Sequence, residues 1–456
     1  MRMTLKAAGK RTRKALRQRE GDGSVKKMFL GLLALCLLTA AAAAESAEGL
    51  PLDALEEARR EAWNAYREER LQAETAEGPL SFQDELAGYF QKMPLADPSK
   101  EGALTYGDVT MRYAVLTVGE KPENGYPLYI ALHGGGGAPK ELNDSQWVDM
   151  TVYYSLSLTC GVYVAPRGVR DTWDTHFNPE SYPLYDRLIQ RMILTRDADP
   201  NRVYLLGFSA GGDGVYAVAP RMADRFAGAN MSSGHPNGVS MRNMKNLPIQ
   251  LQAGENDTAY NRNTVTAEYD GVLNGLEAEF GGYVHRTLIH YNTGHNYADY
   301  GRNPIPTIKD AQAWLTEGKR AYKTMDSYPP DWLNQFVRNP LPETVIWDLS
   351  TRADLRETES FYYLTAPYET DSGLILAAYS REENRITLTA QDVNGPFGVL
   401  LNEQMVDFSK PVTFSVNGEE TVLNVLPDRT ILAETTWERG DPNFQFEAKV
   451  MFGLEQ

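Results

Sequence analysis

The chain has 456 residues, with 61 Asp and Glu against 45 Lys and Arg, for a formal charge of −16. That length implies two or three structural units rather than one, and 42 % hydrophobic residues are enough for buried cores, which excludes a disordered chain. The first 44 residues hold ten Lys/Arg and two Asp/Glu, so the rest carries −24, which argues against nucleic acid or an anionic membrane as a partner.

Met28 to Ala44 is a 17-residue apolar run that follows Lys26-Lys27 and ends in alanines before Glu45. A basic stretch, an apolar stretch and a small-residue cleavage site describe a secretory signal peptide over residues 26–44. The run is at the short limit for a membrane span. The expected product is a secreted or periplasmic protein without stable membrane anchoring once the signal is cleaved. The long basic stretch from Arg2 to Arg19 suggests a natural start near Val25 or Met28. Cys36 would leave with the signal, so Cys160 stays unpaired and reads as a small buried hydrophobe.

Residues 45–102 read as a helical segment. Leu55, Ala58, Ala62, Trp63, Tyr66 and Leu71 fall near helical spacing, which predicts a helix over Asp53 to Ala76, and Phe82 to Phe90 suggests another. From residue 103 to 325 strands alternate with helices. Leu104 to Val118 reads as a hairpin, and Tyr126–Leu132, Gly161–Ala165, Val203–Leu206, Gly228–Ser232, Ile249–Gln252 and Val284–His290 read as strands. Helices are expected over Tyr185–Thr195, Val215–Phe226 and Asn263–Phe280. Such alternation predicts a doubly wound, mainly parallel α/β sheet with its site beyond the carboxyl ends of the strands.

Residues 326–456 change to short strands, among them Thr344–Trp347, Ser360–Leu364, Gly373–Tyr379, Arg385–Thr389, Pro411–Val416 and Phe444–Met451, with a hairpin signal at Asn417-Gly418. They predict a small all-β domain that packs on the rest. Its aromatics Tyr362, Tyr363, Tyr368 and Trp437 offer the alternative of a polymer-stacking face.

The chemistry centres on Gly207-Phe208-Ser209-Ala210-Gly211, between a strand and a helix. A nucleophile elbow needs small residues around a strained central residue, and it exposes that hydroxyl at a helix N-terminus. His133-Gly134-Gly135-Gly136-Gly137 follows a strand and can present backbone N–H groups to an oxyanion together with Ala210. Asp257 follows another strand, with Glu255 as its local rival, and His295 lies just past the last strand. The order Ser209, Asp257, His295 is that of α/β-hydrolases rather than of chymotrypsin or subtilisin. His133, Trp173, His176 and His235 are the candidate substrate-contacting side chains, and His285 and His290 read as structural. Asp213 reads as a helix-start charge.

The blocks LHGGGG, DADPNRVYLLGFSAGG, AGENDT and TGHNY resemble the α/β-hydrolase superfamily over roughly residues 105–320. Within it they are most similar to secreted esterases of the polyhydroxybutyrate-depolymerase, feruloyl-esterase and acetyl-xylan-esterase group, and to the prolyl-oligopeptidase-type catalytic domain. The resemblance implies Ser209 as nucleophile, His295 as general base, Asp257 as its partner, and Gly134 or Gly135 with Ala210 as oxyanion donors. It implies an exported serine hydrolase of small or polymeric carboxylic esters that needs no metal or organic cofactor. The alternatives are a prolyl-oligopeptidase-type serine peptidase, and a non-catalytic binding protein on a hydrolase scaffold.

Overall fold

The computed structural model describes residues 49–77, 102–155, 158–296, 329–352 and 358–453. The signal-peptide expectation and the helix expected over Phe82 to Phe90 lie outside the described residues. Leu50–Gln456 forms one compact unit. Among the described residues no helix is long and apolar enough to cross a membrane.

Helix α1 (Leu55–Glu77) buries Leu55, Ala58 and Tyr66 on one face, with half-buried Ala62 between the last two. The Tyr66 hydroxyl donates to Gln190 Oε1 at 3.1 Å, and its ring meets Trp437 edge-on at 5.1 Å. Arg59, two turns earlier, pairs with Glu447 and Glu403. The helix is thereby tied to both later parts of the chain.

The central sheet runs β1 (Gly102–Tyr106), β2 (Val109–Val118), β3 (Tyr126–Leu132), β4 (Gly161–Pro166), β5 (Ala198–Phe208), β6 (Gly228–Ser232), β7 (Ile249–Gly254) and β8 (His285–His290), in the spatial order 1-2-4-3-5-6-7-8. The β1–β2 and β2–β4 pairs are antiparallel, and all the others are parallel. Strand geometry sends alternate residues to opposite faces, and the packing follows it. Leu128, Ile130, Val162, Val164, Val203 and Leu205 join one apolar cluster, whereas Tyr129, Ala131, Tyr163, Ala165, Tyr204 and Leu206 join another. A strand buried on both faces favours a continuous apolar run, which is what β3 and β4 show, whereas β7 is as buried but carries Gln250 and Gln252. Truncating a fully buried leucine such as Leu205 to Ala would cost about 2–5 kcal/mol.

Helices α2 (Lys140–Tyr153), α3 (Ser181–Arg196), α4 (Ala210–Val218) and α5 (Arg262–Phe280) connect the parallel strands. The apolar face that α2 covers includes Trp147, Val148 and Met150. The helix expected from Val215 to Phe226 instead starts at Ala210 and gives way to short 3-10 turns at Ala219–Arg221 and Ala223–Arg225, where Pro220 removes a backbone donor.

Beyond helix α6 (Pro329–Leu333) lie two further sheets. One holds β9 (Thr344–Asp348), β12 (Leu374–Ser380), β13 (Arg385–Gln391), β15 (Val412–Val416) and β16 (Glu419–Leu423). The other holds β10 (Ser360–Phe361), β11 (Leu364–Thr365), β14 (Phe397–Leu401) and β17 (Ala448–Phe452). The region is not purely β, because helix α7 (Arg429–Arg439) precedes β17. Asp428 caps it by accepting from the Thr430 N–H at 2.6 Å, and Gly440 ends it in the left-handed region. Tyr362 and Tyr363 are buried and Trp437 is half-buried, while Tyr368 is exposed with the Arg352 guanidinium 4.6 Å over its ring, so only Tyr368 of the four stands open to solvent. One apolar cluster runs from the central sheet into this region. Alongside it Arg225, Arg338 and Arg439 are buried against Asp186, Asp224 and Asp441.

Candidate active site

The site is assembled where β3, β5, β7 and β8 end. Ser209 stands between β5 and α4 with φ 57° and ψ −120°, a conformation that costs a non-glycine residue on the order of 1–3 kcal/mol. Its surroundings hold it there. The Ser209 N–H donates to Ser232 O at 2.9 Å, and the Asp213 N–H donates to Ser209 O at 3.0 Å. A Cβ on Gly207 would collide with the Gly211 carbonyl, and one on Gly211 with the Leu132 carbonyl. The sharp turn therefore requires both glycines.

His295 and Asp257 complete a line of hydrogen bonds. His295 Nε2 lies 3.0 Å from Ser209 Oγ, and His295 Nδ1 lies 2.8 Å from Asp257 Oδ2. A carboxylate only accepts, so Nδ1–H donates to it and Nε2 is left to accept from the serine hydroxyl. Asp257 is almost wholly buried, while the imidazole is 38 % exposed and open to the cleft. The loop that carries His295 is fixed by Ser233, whose hydroxyl donates to His295 O at 3.0 Å. Asp257 is held by its own N–H on Gly254 O at 3.0 Å and by the Asn263 N–H on its carbonyl at 3.1 Å. Arg262 Nη1 stands 3.8 Å from Asp257 Oδ1. The rival Glu255 accepts from the Asn292 N–H at 2.7 Å and does not approach His295.

The glycine loop after β3 lies against the elbow. A Cβ on Gly136 would be 3.3 Å from Ala210 Cβ. Asn143 on α2 pins the loop: its Oδ1 accepts from the Gly136 N–H at 2.8 Å, and its Nδ2 donates to Gly136 O at 2.9 Å and Asp171 Oδ1 at 2.8 Å. The Gly136 N–H is thus spent. Gly134, Gly135 and Ala210 remain as the candidate oxyanion donors.

Two of the expected substrate contacts are corrected. His133 and His176 are fully buried and line no cleft. His133 Nε2 accepts from the Gly168 N–H at 2.9 Å, so its Nδ1 donates to Gly134 O at 2.6 Å. His176 Nε2 donates to His133 O at 2.8 Å. Burial holds His133 well below the ordinary histidine range and pushes His176 down to about 4. Both are neutral braces of the glycine loop. Trp173 is 60 % exposed, its backbone lies beside Gly136 and Gly137, and its indole meets the Phe177 ring edge-on at 5.2 Å. His235 is half-buried. Its N–H donates to Asp213 Oδ1 at 2.7 Å, and its ring pairs with Asn237. Asp213 is more than a helix-start charge: burial pushes its carboxyl up to about 6, against the pull of nearby Arg262, His235 and His295. Cys160 is half-buried, with its thiol on Glu120 O at 3.2 Å. Among the described residues no cluster of His, Cys, Asp and Glu could hold a metal ion. Asn143 escaped the sequence reading; an amide in a helix just after a glycine-rich turn was the available signal.

No family model and no curated protein sequence matches the chain. Several solved structures do. A thermostable esterase is 21 % identical, covering 53 % of this chain and 64 % of its own, with a TM-score of 0.37. The poly(3-hydroxybutyrate) depolymerase of Bordetella parapertussis is 15 % identical over 50 % of this chain and 89 % of its own, with a TM-score of 0.35. The acylaminoacyl peptidase of Pyrococcus horikoshii is 16 % identical over 52 % of this chain and 43 % of its own, with a TM-score of 0.33. The chain thus spans less than two thirds of the esterase and less than half of the peptidase. Its own topology decides the fold: the strand order 1-2-4-3-5-6-7-8, the serine elbow after β5, an aspartate after β7 and a histidine after β8. The chain has the α/β-hydrolase fold. Here the loop after β3 and the elbow lie side by side: a Cβ on Gly134 would be 3.4 Å from Ser209 Cβ and one on Gly136 would be 3.3 Å from Ala210 Cβ.

Proposed function

We propose that this chain is an exported serine hydrolase that cleaves carboxylic esters by acyl transfer. The observation that carries the reading is the unbroken line Ser209 Oγ, His295 Nε2, His295 Nδ1, Asp257 Oδ2 beside a glycine loop. His295 takes the hydroxyl proton as Ser209 Oγ attacks the ester carbonyl. Asp257 keeps the ring in the working tautomer and stabilises the imidazolium. The N–H groups of Ala210 and of Gly134 or Gly135 receive the oxyanion, each contributing about 3 kcal/mol. The tetrahedral species collapses as His295 returns the proton to the departing alcohol. Water, deprotonated by His295, then attacks the acyl-enzyme and frees the acid. Trp173 offers an aromatic wall for one side of the substrate. Export rests on the basic and apolar run at residues 26–44.

The test is a substrate panel of p-nitrophenyl acetate and butyrate, acetylated xylan, methyl ferulate, polyhydroxybutyrate and an aminoacyl-nitroanilide, with Ser209→Ala as control. Ester turnover lost in the variant supports the reading and ranks the acyl groups. Turnover of the anilide alone would move it to a peptidase. A wild-type protein inert to the whole panel and to a fluorophosphonate would favour a binding protein.

A further inference from the structure

Gly134 does not use the left-handed region, so its backbone does not explain why it is glycine. Space explains it. A Cβ there would lie 2.8 Å from Gln146 Oε1 and 3.4 Å from Ser209 Cβ. The missing side chain is what lets the Gln146 amide come up against the loop at Gly134, the residue that borders Ser209. Gln146 lies on α2, one turn after Asn143. The two amides differ in one respect. Asn143 spends both ends on the loop and on Asp171. Gln146 is half-buried, and among the described residues nothing pairs with its amide. A half-buried amide held against the oxyanion loop yet free of partners is placed for a ligand.

We propose that Gln146 is a further catalytic residue, whose Nε2 donates to the carbonyl oxygen of the substrate as that oxygen becomes anionic. The inference rests on the serine-hydrolase reading above. Amide oxygen and nitrogen exchange by a half-turn about the terminal bond, so the position now held by Oε1 is open to Nε2. An amide suits the place because it donates without carrying a charge that would compete for the His295 proton. No bond is made or broken at Gln146; it contributes one hydrogen bond that strengthens as negative charge develops. Gly134 and Gln146 then form a matched pair, in which the glycine gives room and the glutamine fills it.

The test uses the full chain, p-nitrophenyl butyrate as substrate and phenylboronic acid as inhibitor, since the boronate forms a tetrahedral adduct on a nucleophilic serine. Removing one oxyanion donor costs about 100-fold in kcat. Gln146→Ala is expected to lower kcat by about that factor, with KM little changed, and to weaken the boronate by at least about tenfold. A side chain that only packs would not move the two in parallel. If Gln146→Ala does not fold, near-isosteric Gln146→Glu carries the test, because at pH 8 it has no N–H to donate. A kcat loss under about tenfold, or a larger loss with unchanged boronate affinity, overturns the proposal. Ser209→Ala keeps the two readings apart. If it retains wild-type turnover the hydrolase reading fails, whereas an active wild type matched by Gln146→Ala sinks only the role of Gln146.

Discussion

Arg439→Met tests how the C-terminal region is fixed to the central sheet. Arg439 closes helix α7, and its guanidinium is almost wholly buried. It pairs with Asp224, which is fully buried in the turn after α4, and donates to Ser360 Oγ at 3.2 Å and Ser360 O at 3.3 Å. The group around it holds three arginines and three aspartates, so its charges balance only while every member is present. Methionine keeps much of the stem packing and deletes the charge, leaving the Asp224 carboxylate in a low-dielectric site. Removing one partner of a buried pair costs about 3–5 kcal/mol, whereas replacing both by apolar groups is often close to neutral. The assay is urea unfolding followed by tryptophan fluorescence. Arg439→Met should lose about 3–5 kcal/mol, and adding Asp224→Leu should recover most of that loss. A single-variant loss below about 1 kcal/mol, or single losses that simply add, would refute the argument.

Two more predictions concern the glycine loop. Asn143→Ala frees the Gly136 N–H and carbonyl, so kcat on p-nitrophenyl esters should fall about 10- to 100-fold with a smaller change in KM. An unchanged kcat would mean that the loop is held without it. His176 has a folded value near 4 against an ordinary 6.5, so the folded protein binds fewer protons than the unfolded chain between those pH values. Its contribution is therefore fully present above about pH 6.5 and is lost as pH falls toward 4, by roughly 3 kcal/mol. Relative to His176→Gln, the wild type should lose stability over that acid range in pH-dependent urea unfolding. Parallel curves for the two proteins would contradict the assignment.

Much of the fold was legible because the central strands β3 and β4 and the Val203–Leu206 part of β5 are buried on both faces and read as plain apolar runs. Among the described residues three helices were not legible: the five-residue α6 and, for one shared reason, α2 and α7. The buried residues of α2 are Asn143, Asp144, Trp147, Val148, Met150, Thr151 and Val152, and those of α7 are Leu432, Thr435, Thr436 and Arg439. Polar residues fill three of the seven positions in α2 and three of the four in α7, which breaks the apolar period of each. In α2 they bind the glycine loop and Arg167. In α7 Arg439 enters the buried charge group. An apolar-period argument cannot see a helix whose buried face is polar for tertiary reasons.

The elbow was legible because its steric demands leave few residue types at Gly207 and Gly211. Asp257 and His295 were legible from chain order and from their places just past strands. The roles of His133 and His176 were not. A histidine after a strand reads the same whether its ring faces a cleft or accepts a buried N–H, and only the Gly168 N–H and the His133 carbonyl separate the two cases. Gln146 was invisible because its place depends on a Cβ that Gly134 lacks, twelve residues away.

The central claim is that Ser209 is a nucleophile activated by His295. The most direct measurement is reaction with a fluorophosphonate, with the modified residue located by peptide mass spectrometry in wild type, Ser209→Ala and His295→Gln. A single adduct on Ser209 is expected, absent in Ser209→Ala and formed at least about 1000-fold more slowly in His295→Gln. An adduct elsewhere, none at all, or equal rates with and without His295 would contradict the account.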